Sequence, residues 1–168
     1  RFYGFNCQRH AHDHYPAYLW RDGVKETVGA GPSGRPYAGD LFAEEALAFI
    51  RRSRDRPFFL YYASTVPHMA MQVPEDSLVE YRGKWPDPPY DGKKGYRAHP
   101  TPRAAYAAMV TRLDRDVGRI LSVLGETGLD RNTLVIFTSD NGPTHDGIGG
   151  TDPEFFRSAG GLRGLKGS

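Results

Sequence analysis

Two apolar runs without alternation, Phe58-Phe59-Leu60-Tyr61-Tyr62-Ala63 and Thr133-Leu134-Val135-Ile136-Phe137-Thr138, constrain this chain more than any other feature. Short runs of this kind fit strands buried on both faces, as in parallel sheets. Between them lies one long helical stripe, Met109, Leu113, Val117, Ile120, Leu121 and Leu124. Thr101-Pro102 opens that helix, with Thr as N-cap and Pro at the first helical position, and Gly125 to Gly128 closes it. Strand, loop, long helix, strand is a parallel crossover. The order predicts an α/β fold whose helices cover a mostly parallel sheet.

A further helix starts near Asp40, where Phe42, Ala46, Phe49 and Ile50 share one face. Asp40 is its expected N-cap, Glu44 and Glu45 suit its positive end, and Arg51, Arg52 and Arg54 suit its negative end. Residues 1–39 show no sustained period and read as loop with short strands, including a turn signal at Gly31-Pro32-Ser33-Gly34. From Gln72 to Pro102 the chain carries Pro74, Pro86, Pro88, Pro89, Pro100 and Pro102 with Trp85 and Tyr90, an ordered excursion of the length usually tied to function. Its aromatic rings are candidates for stacking on sugar or aryl groups.

Composition narrows the function classes. With 22 Lys+Arg against 20 Asp+Glu, the formal charge is only +2, which gives no electrostatic case for nucleic acid as partner. No apolar run approaches the roughly 18 residues of a membrane span. Cys7 is the single cysteine, so an intrachain disulfide and a zinc ribbon are excluded.

Ligands of open parallel α/β sheets bind beyond the carboxyl ends of the strands. The first run delivers His68 shortly after its end, and the second delivers Ser139-Asp140-Asn141-Gly142 directly. Parallel strands place these ends on one edge, so His68, Asp140 and Asn141 can converge. Asp140 and Asn141 are adjacent hard oxygen donors suited to Ca²⁺ or Mg²⁺, although Asp-Asn-Gly sequences more often make a simple turn. His68 alone reads as a catalytic or as a packed histidine. Gly160-Gly161-Leu162-Arg163-Gly164-Leu165-Lys166-Gly167-Ser168 reads as an anion cradle or as a flexible basic tail, and is not a Walker A loop. His10-Ala11-His12-Asp13-His14 falls one residue short of the H-x-H-x-D-H zinc pattern of metallo-β-lactamase-like hydrolases, and otherwise reads as a His-rich surface loop.

Taken together, the segments resemble type I sulfatases, the formylglycine-dependent, arylsulfatase-A-like members of the alkaline phosphatase superfamily. Residues 103–142, from Met109-Val110-Thr111-Arg112-Leu113-Asp114 through Gly125 to Asp140-Asn141-Gly142, look like the family's signature stretch. Phe58 to Tyr62 followed by Pro67-His68 looks like its strand and substrate histidine, and Gly161 to Gly167 like its "LRG-x-K-G" lysine loop. Tyr3-Gly4-Phe5-Asn6-Cys7-Gln8 through Ala11-His12 to Tyr15-Pro16 and Leu19-Trp20 is similar to a segment of bacterial members.

The resemblance implies an alkaline-phosphatase-like three-layer sandwich, incomplete here, with residues 1–168 as the central part of the catalytic domain. It implies hydrolysis of small-molecule or carbohydrate sulfate esters, with Ca²⁺ (or Mg²⁺) held in part by Asp140 and Asn141. His68 and Lys166 would be the catalytic and sulfate-binding side chains. The family's nucleophile is a hydrated formylglycine made from the Cys of C-x-P-S-R. Cys7 stands in Cys7-Gln8-Arg9-His10-Ala11, which lacks that Pro and Arg, so formylglycine is expected in the parent protein and absent from this chain. Both ends of the chain are expected to be cuts, and the chain alone is expected to be inactive. Family members are usually periplasmic, secreted or lysosomal. Two alternatives stay open, a phosphodiesterase or phosphonate hydrolase of the same superfamily and a noncatalytic pseudo-sulfatase binding module.

Overall fold

The computed structural model describes residues 1–31, 34–145 and 147–168. The two apolar stripes build its main helices, α1 (Ala38–Ser53) and α3 (Pro102–Glu126), with a single turn, α2 (Glu75–Leu78), between them. Three short strands precede them: β1 (Tyr3–Gly4), β2 (Tyr18–Arg21) and β3 (Val24–Thr27) form an antiparallel sheet in the order β1-β2-β3. The β2–β3 register pairs Tyr18 with Thr27 and Arg21 with Val24 around a turn at Asp22-Gly23. At the other turn signal, Gly31 and Gly34 bond to each other through both backbone pairs, while Pro32 and Ser33 lie outside the described residues. No helix is long and apolar enough to cross a membrane among the described residues.

Helix packing creates two cores. The larger gathers Tyr37, Val66, Met69, Met71 and Leu78 around Ala104, Ala105 and Met109 of α3. The smaller joins Leu47 and Ile50 of α1 to Val123 and Leu124, with Phe58 and Leu60 packed on it. Most of the expected stripes are buried or half-buried, but Leu121 is 48% exposed and Val123 takes the buried place instead.

Caps depart from expectation for a tertiary reason. Asp40 is not the N-cap of α1. Tyr37 holds that position, and the Asp40 carboxylate turns within the first turn to meet Arg112 of α3. Thr101 does sit at the α3 N-cap, yet its side chain caps nothing. Asp87, from the proline-rich excursion, accepts instead from the Arg103 and Ala104 N–H groups, each at 2.9 Å. The C-terminal end closes as expected, with Gly128 at φ 71° and the Leu129 N–H reaching the Leu124 carbonyl at 2.8 Å.

The α/β class holds, but the sheet differs from expectation. The strand ladders among the described residues are antiparallel, and the runs 58–63 and 133–138 join none of them. Phe58 and Leu60 point onto the smaller core while Phe59 and Tyr61 are 87% and 79% exposed. Leu134 is 85% exposed, and Val135, Ile136 and Phe137 are exposed with it. The first run thus alternates like a strand with helices on one face and nothing on the other. Residues with such a bilateral apolar character need neighbours on both faces, and the described residues cover one face of one run.

Two interactions tie the helices and loops together. The Arg112 side chain, 7% exposed, donates through Nε to Asp40 Oδ1 at 2.8 Å and through Nη1 to Asp76 Oδ1 at 2.9 Å, linking α3 to α1 and α2. His14 is fully buried. Its carbonyl accepts from the Ala38 N–H at the start of α1 (2.8 Å), and its N–H donates to Gln72 Oε1 (2.9 Å). Arg112→Ala should therefore cost about 3 kcal/mol of stability, because it leaves the Asp40 charge short of a buried partner; urea unfolding of both proteins measures the loss. The pH dependence follows from His14. Burial holds its imidazole below the ordinary value of 6.5. The unfolded chain therefore takes up the proton first, so stability is complete above the unfolded value and is lost as pH falls below it. Burial lowers His10, His12 and His99 as well. The urea midpoint should drop between about pH 7.5 and about pH 5, and the drop should be shallower in His14→Gln.

Candidate functional site

The turn after the first apolar run delivers His68. Ser64 Oγ accepts from the Val66 N–H at 3.1 Å, and the Thr65 carbonyl accepts from the His68 N–H at 2.9 Å. The histidine is then held from two sides. Its carbonyl accepts from His14 Nε2 at 3.0 Å, and its own Nδ1–H donates to the Met69 carbonyl at 2.9 Å. With the Nδ1 proton committed to a carbonyl, Nε2 is left as the free ring atom. That atom faces Lys166 Nζ at 3.5 Å, across 98 positions of sequence.

Gly149 makes room for this arrangement. At φ 62° it lies directly against the residue after His68, and a Cβ there would overlap Met69 Sδ and come within 3.2 Å of the Tyr96 ring. Only glycine fits both the left-handed backbone and the contact.

Lys166 is anchored by its backbone, whose N–H donates to the Pro143 carbonyl at 2.7 Å. Several N–H groups of its loop are occupied: those of Gly160, Leu162 and Ser168 go to nearby carbonyls, and that of Leu165 goes to Ser168 Oγ. Toward His68 the loop offers the lysine ammonium. Its bond to Pro143 also sets it beside the Asp140-Asn141-Gly142 turn, where Gly142 lies against the Gly164 carbonyl. The structure therefore brings His68 and Lys166 together and ties Lys166 to the segment that carries Asp140 and Asn141.

Asp140 and Asn141 are both exposed, and Ser139 Oγ donates to the Asn141 carbonyl at 2.8 Å. By donor type, a carboxylate beside an amide oxygen, they fit a hard cation. They are two donors of the six or more such an ion takes. Among the described residues, no group of three or more His, Cys, Asp or Glu is disposed to hold a metal. The zinc alternative for the histidine cluster gains nothing, because its members part company. His10 packs between Phe5 and Tyr18, His14 is buried under His68, and only His12 faces the site.

His12 is the residue whose place sequence reasoning missed. It ends a 3₁₀ turn (His10–His12), and its ring stacks on that of His68 with centroids 4.9 Å apart and planes 16° from parallel. Burial lowers its pKa, and the like charges of His68 and Lys166 lower it further. Tyr96 sets an edge against His12 at 5.2 Å and against His68 at 6.4 Å, from a left-handed backbone at φ 66°. The available signal was the cluster itself, but nothing local distinguishes His12 from its neighbours. Trp85, singled out for ring stacking, is half-buried and packs against Tyr81, Phe155 and Phe156. Cys7 is exposed in the turn before His10 and lies outside this cluster.

Comparison with known proteins places the chain in a family. Steryl-sulfatase of Mus musculus is 35% identical over 126 residues, covering 75% of this chain and 17% of that protein. Arylsulfatase A of Homo sapiens is 36% identical over 102 residues, covering 61% of this chain and 16% of that protein. Arylsulfatase of Klebsiella aerogenes is 25% identical over 180 residues, covering 85% of this chain and 38% of that protein. The chain thus spans well under half the length of these curated relatives. Among solved structures, Ps i-CgsB in complex with k-i-k-neocarrahexaose superposes with a TM-score of 0.58 at 27% identity, over 76% of this chain and 24% of that one. The fold class is α/β, alkaline-phosphatase-like, with its sheet incomplete. The Sulfatase family model matches residues 2–167, from before β1 to past Lys166, and the chain belongs to the sulfatase family.

Proposed function

We propose that this chain supplies the sulfate-contacting side of a sulfuric ester hydrolase, with His68 and Lys166 as its catalytic and substrate-binding side chains. The observation that carries the reading is the approach of His68 Nε2 and Lys166 Nζ to 3.5 Å with no carboxylate bonded to either among the described residues. The ammonium here faces only an imidazole nitrogen, with no carboxylate to neutralise it, which suits an anion entering beside the pair. Lys166 donates to a sulfate oxygen as a fixed cation. His68, whose Nδ1 proton stays on the Met69 carbonyl, presents Nε2 to the ester oxygen, and in its protonated form it donates there as the bond to sulfur breaks.

Asp140 and Asn141 are the residues here that would hold Ca²⁺ or Mg²⁺. When bound, such an ion polarises the sulfate oxygens as a Lewis acid. The chain contains no C-x-P-S-R sequence, so the residues present do not fit a formylglycine and the attack on sulfur is not performed by this segment. The substrate class is a small-molecule or carbohydrate sulfate ester. The oligosaccharide bound in the superposed structure favours a carbohydrate.

The 168-residue chain should show no turnover of an aryl sulfate, and formylglycine-dependent activity from it would refute that assignment. In a polypeptide that joins this chain to the nucleophile segment, His68→Ala and Lys166→Ala should each lower kcat/KM by about 10²–10³, the usual loss for a donor aimed at developing charge. Steady-state kinetics decide it, and wild-type rates in either variant would remove that residue from the site.

A further inference from the structure

The arginines packed between elements are matched to acids: Arg21 with Glu26 and Glu45, Arg103 with Asp152, Arg112 with Asp40, Arg119 with Glu44. The cluster at His68 has no such match, and unlike the unpaired arginines of the surface it brings three nitrogen side chains together. His12, His68 and Lys166 converge, and no acidic side chain forms an ion pair with any of the three among the described residues. The nearest carboxylate in sequence, Asp13, is already engaged. Its Oδ1 accepts from the Tyr15 N–H and from Gln72 Nε2, and Arg97 lies 3.8 Å from its Oδ2.

The ring nitrogens of His12 are also uncommitted. Each neighbouring histidine of the cluster has an Nδ1 that is buried without a partner, whereas neither nitrogen of His12 is shut off from solvent in that way. No hydrogen bond from the His12 ring is made to any described residue, although its ring plane is held by His68 on one face and by the edge of Tyr96. A rigidly held imidazole with a free N–H, beside a lysine that lacks a counter-charge, offers two donors for one anion.

We propose that His12 is a third sulfate-binding residue, donating a ring N–H to the same sulfate group that His68 and Lys166 contact. The proposal rests on the reading of His68 and Lys166 given above and extends it to a residue on a different element. A neutral imidazole suffices, because it always carries one N–H. Its lowered pKa, caused first by burial and then by His68 and Lys166, agrees with a group surrounded by other donors.

The test uses the 168-residue chain and inorganic sulfate as probe, with chloride at equal ionic strength as control. In the wild type, titration with sulfate should move the imidazole ¹⁵N signals of both His12 and His68. The substitution His12→Phe keeps a ring against His68 and Tyr96 but removes the donor, and should weaken sulfate binding about tenfold, the worth of one hydrogen bond to a charged group. His12→Gln restores an N–H donor and should stay within about threefold of wild type, a result that ring stacking alone would not give. The buried His14 signal reports that each variant is folded. Wild-type affinity in His12→Phe, or His12 nitrogens unmoved at saturating sulfate, overturns the proposal. If His68→Ala and Lys166→Ala still weaken binding in that case, the sulfate site stands without His12. If sulfate moves neither histidine and none of the variants changes affinity, the reading of the whole site falls with it.

Discussion

Arg112 is the constraint on which the rest of this structure depends. It stands on the buried face of α3 and grips the Asp40 carboxylate of α1 through both Nε and Nη2. The same guanidinium donates to Asp76 and Ser77 of α2, while Arg115 adds a second bond to Asp40. A paired fork of this kind is directional, so it sets how α1 and α2 sit against α3 rather than merely attracting them. The histidine side of the candidate site hangs from those three helices. The start of α1 holds the His14 carbonyl, α2 lies just beyond Gln72, which grips the His14 backbone, and α3 receives Asp87 from the loop that also carries Tyr96.

What could be read in advance divides along the range of the interaction responsible. Both long helices were legible because their apolar stripes and the Gly125–Gly128 stop are local patterns, and local patterns survive whatever surrounds them. The caps were not. Asp40 looks like an N-cap until a buried arginine 72 positions away competes for its carboxylate, and a charge-assisted pair outweighs a capping bond to a neutral N–H. The α3 cap comes from Asp87, and no local rule connects that residue to the Arg103 and Ala104 N–H groups. The strand runs were legible as apolar segments, with residues 58–63 keeping the alternation of a strand against one helical layer. Their pairing was not, because hydrogen bonding in a sheet belongs to the neighbour as much as to the strand, and no described residue stands where a neighbour would be.

The site repeats the same division. His68 and Lys166 carry chemistry that can be named from their motifs, but their 3.5 Å approach depends on the Lys166 bond to Pro143 and on the His68 bonds to His14 and Met69. His12 shows the opposite case. It was visible as one of three alternate histidines, and any zinc pattern requires those three to point at one place. A 3₁₀ turn followed at Asp13 by extended backbone sends them to three different environments instead: an aromatic slot, the face of His68, and the protein interior. Composition gave the histidines, and backbone geometry decided that one of them would meet the site.

Burial and charge play opposed parts around that site, and their division explains why the scaffold tolerates it. His14, beneath His68, is kept neutral by burial and contributes only hydrogen bonds, so the support of the site adds no positive charge to it. The Lys166 ammonium stands half-exposed without an ion-pair partner among the described residues, where water screens its charge at small cost. Desolvation would remove that screening and raise the cost of an unpaired cation. An anion that enters as water leaves removes the cost at the same step. The neutral, hydrogen-bonded layer below keeps the one fixed charge of the cluster out of the core.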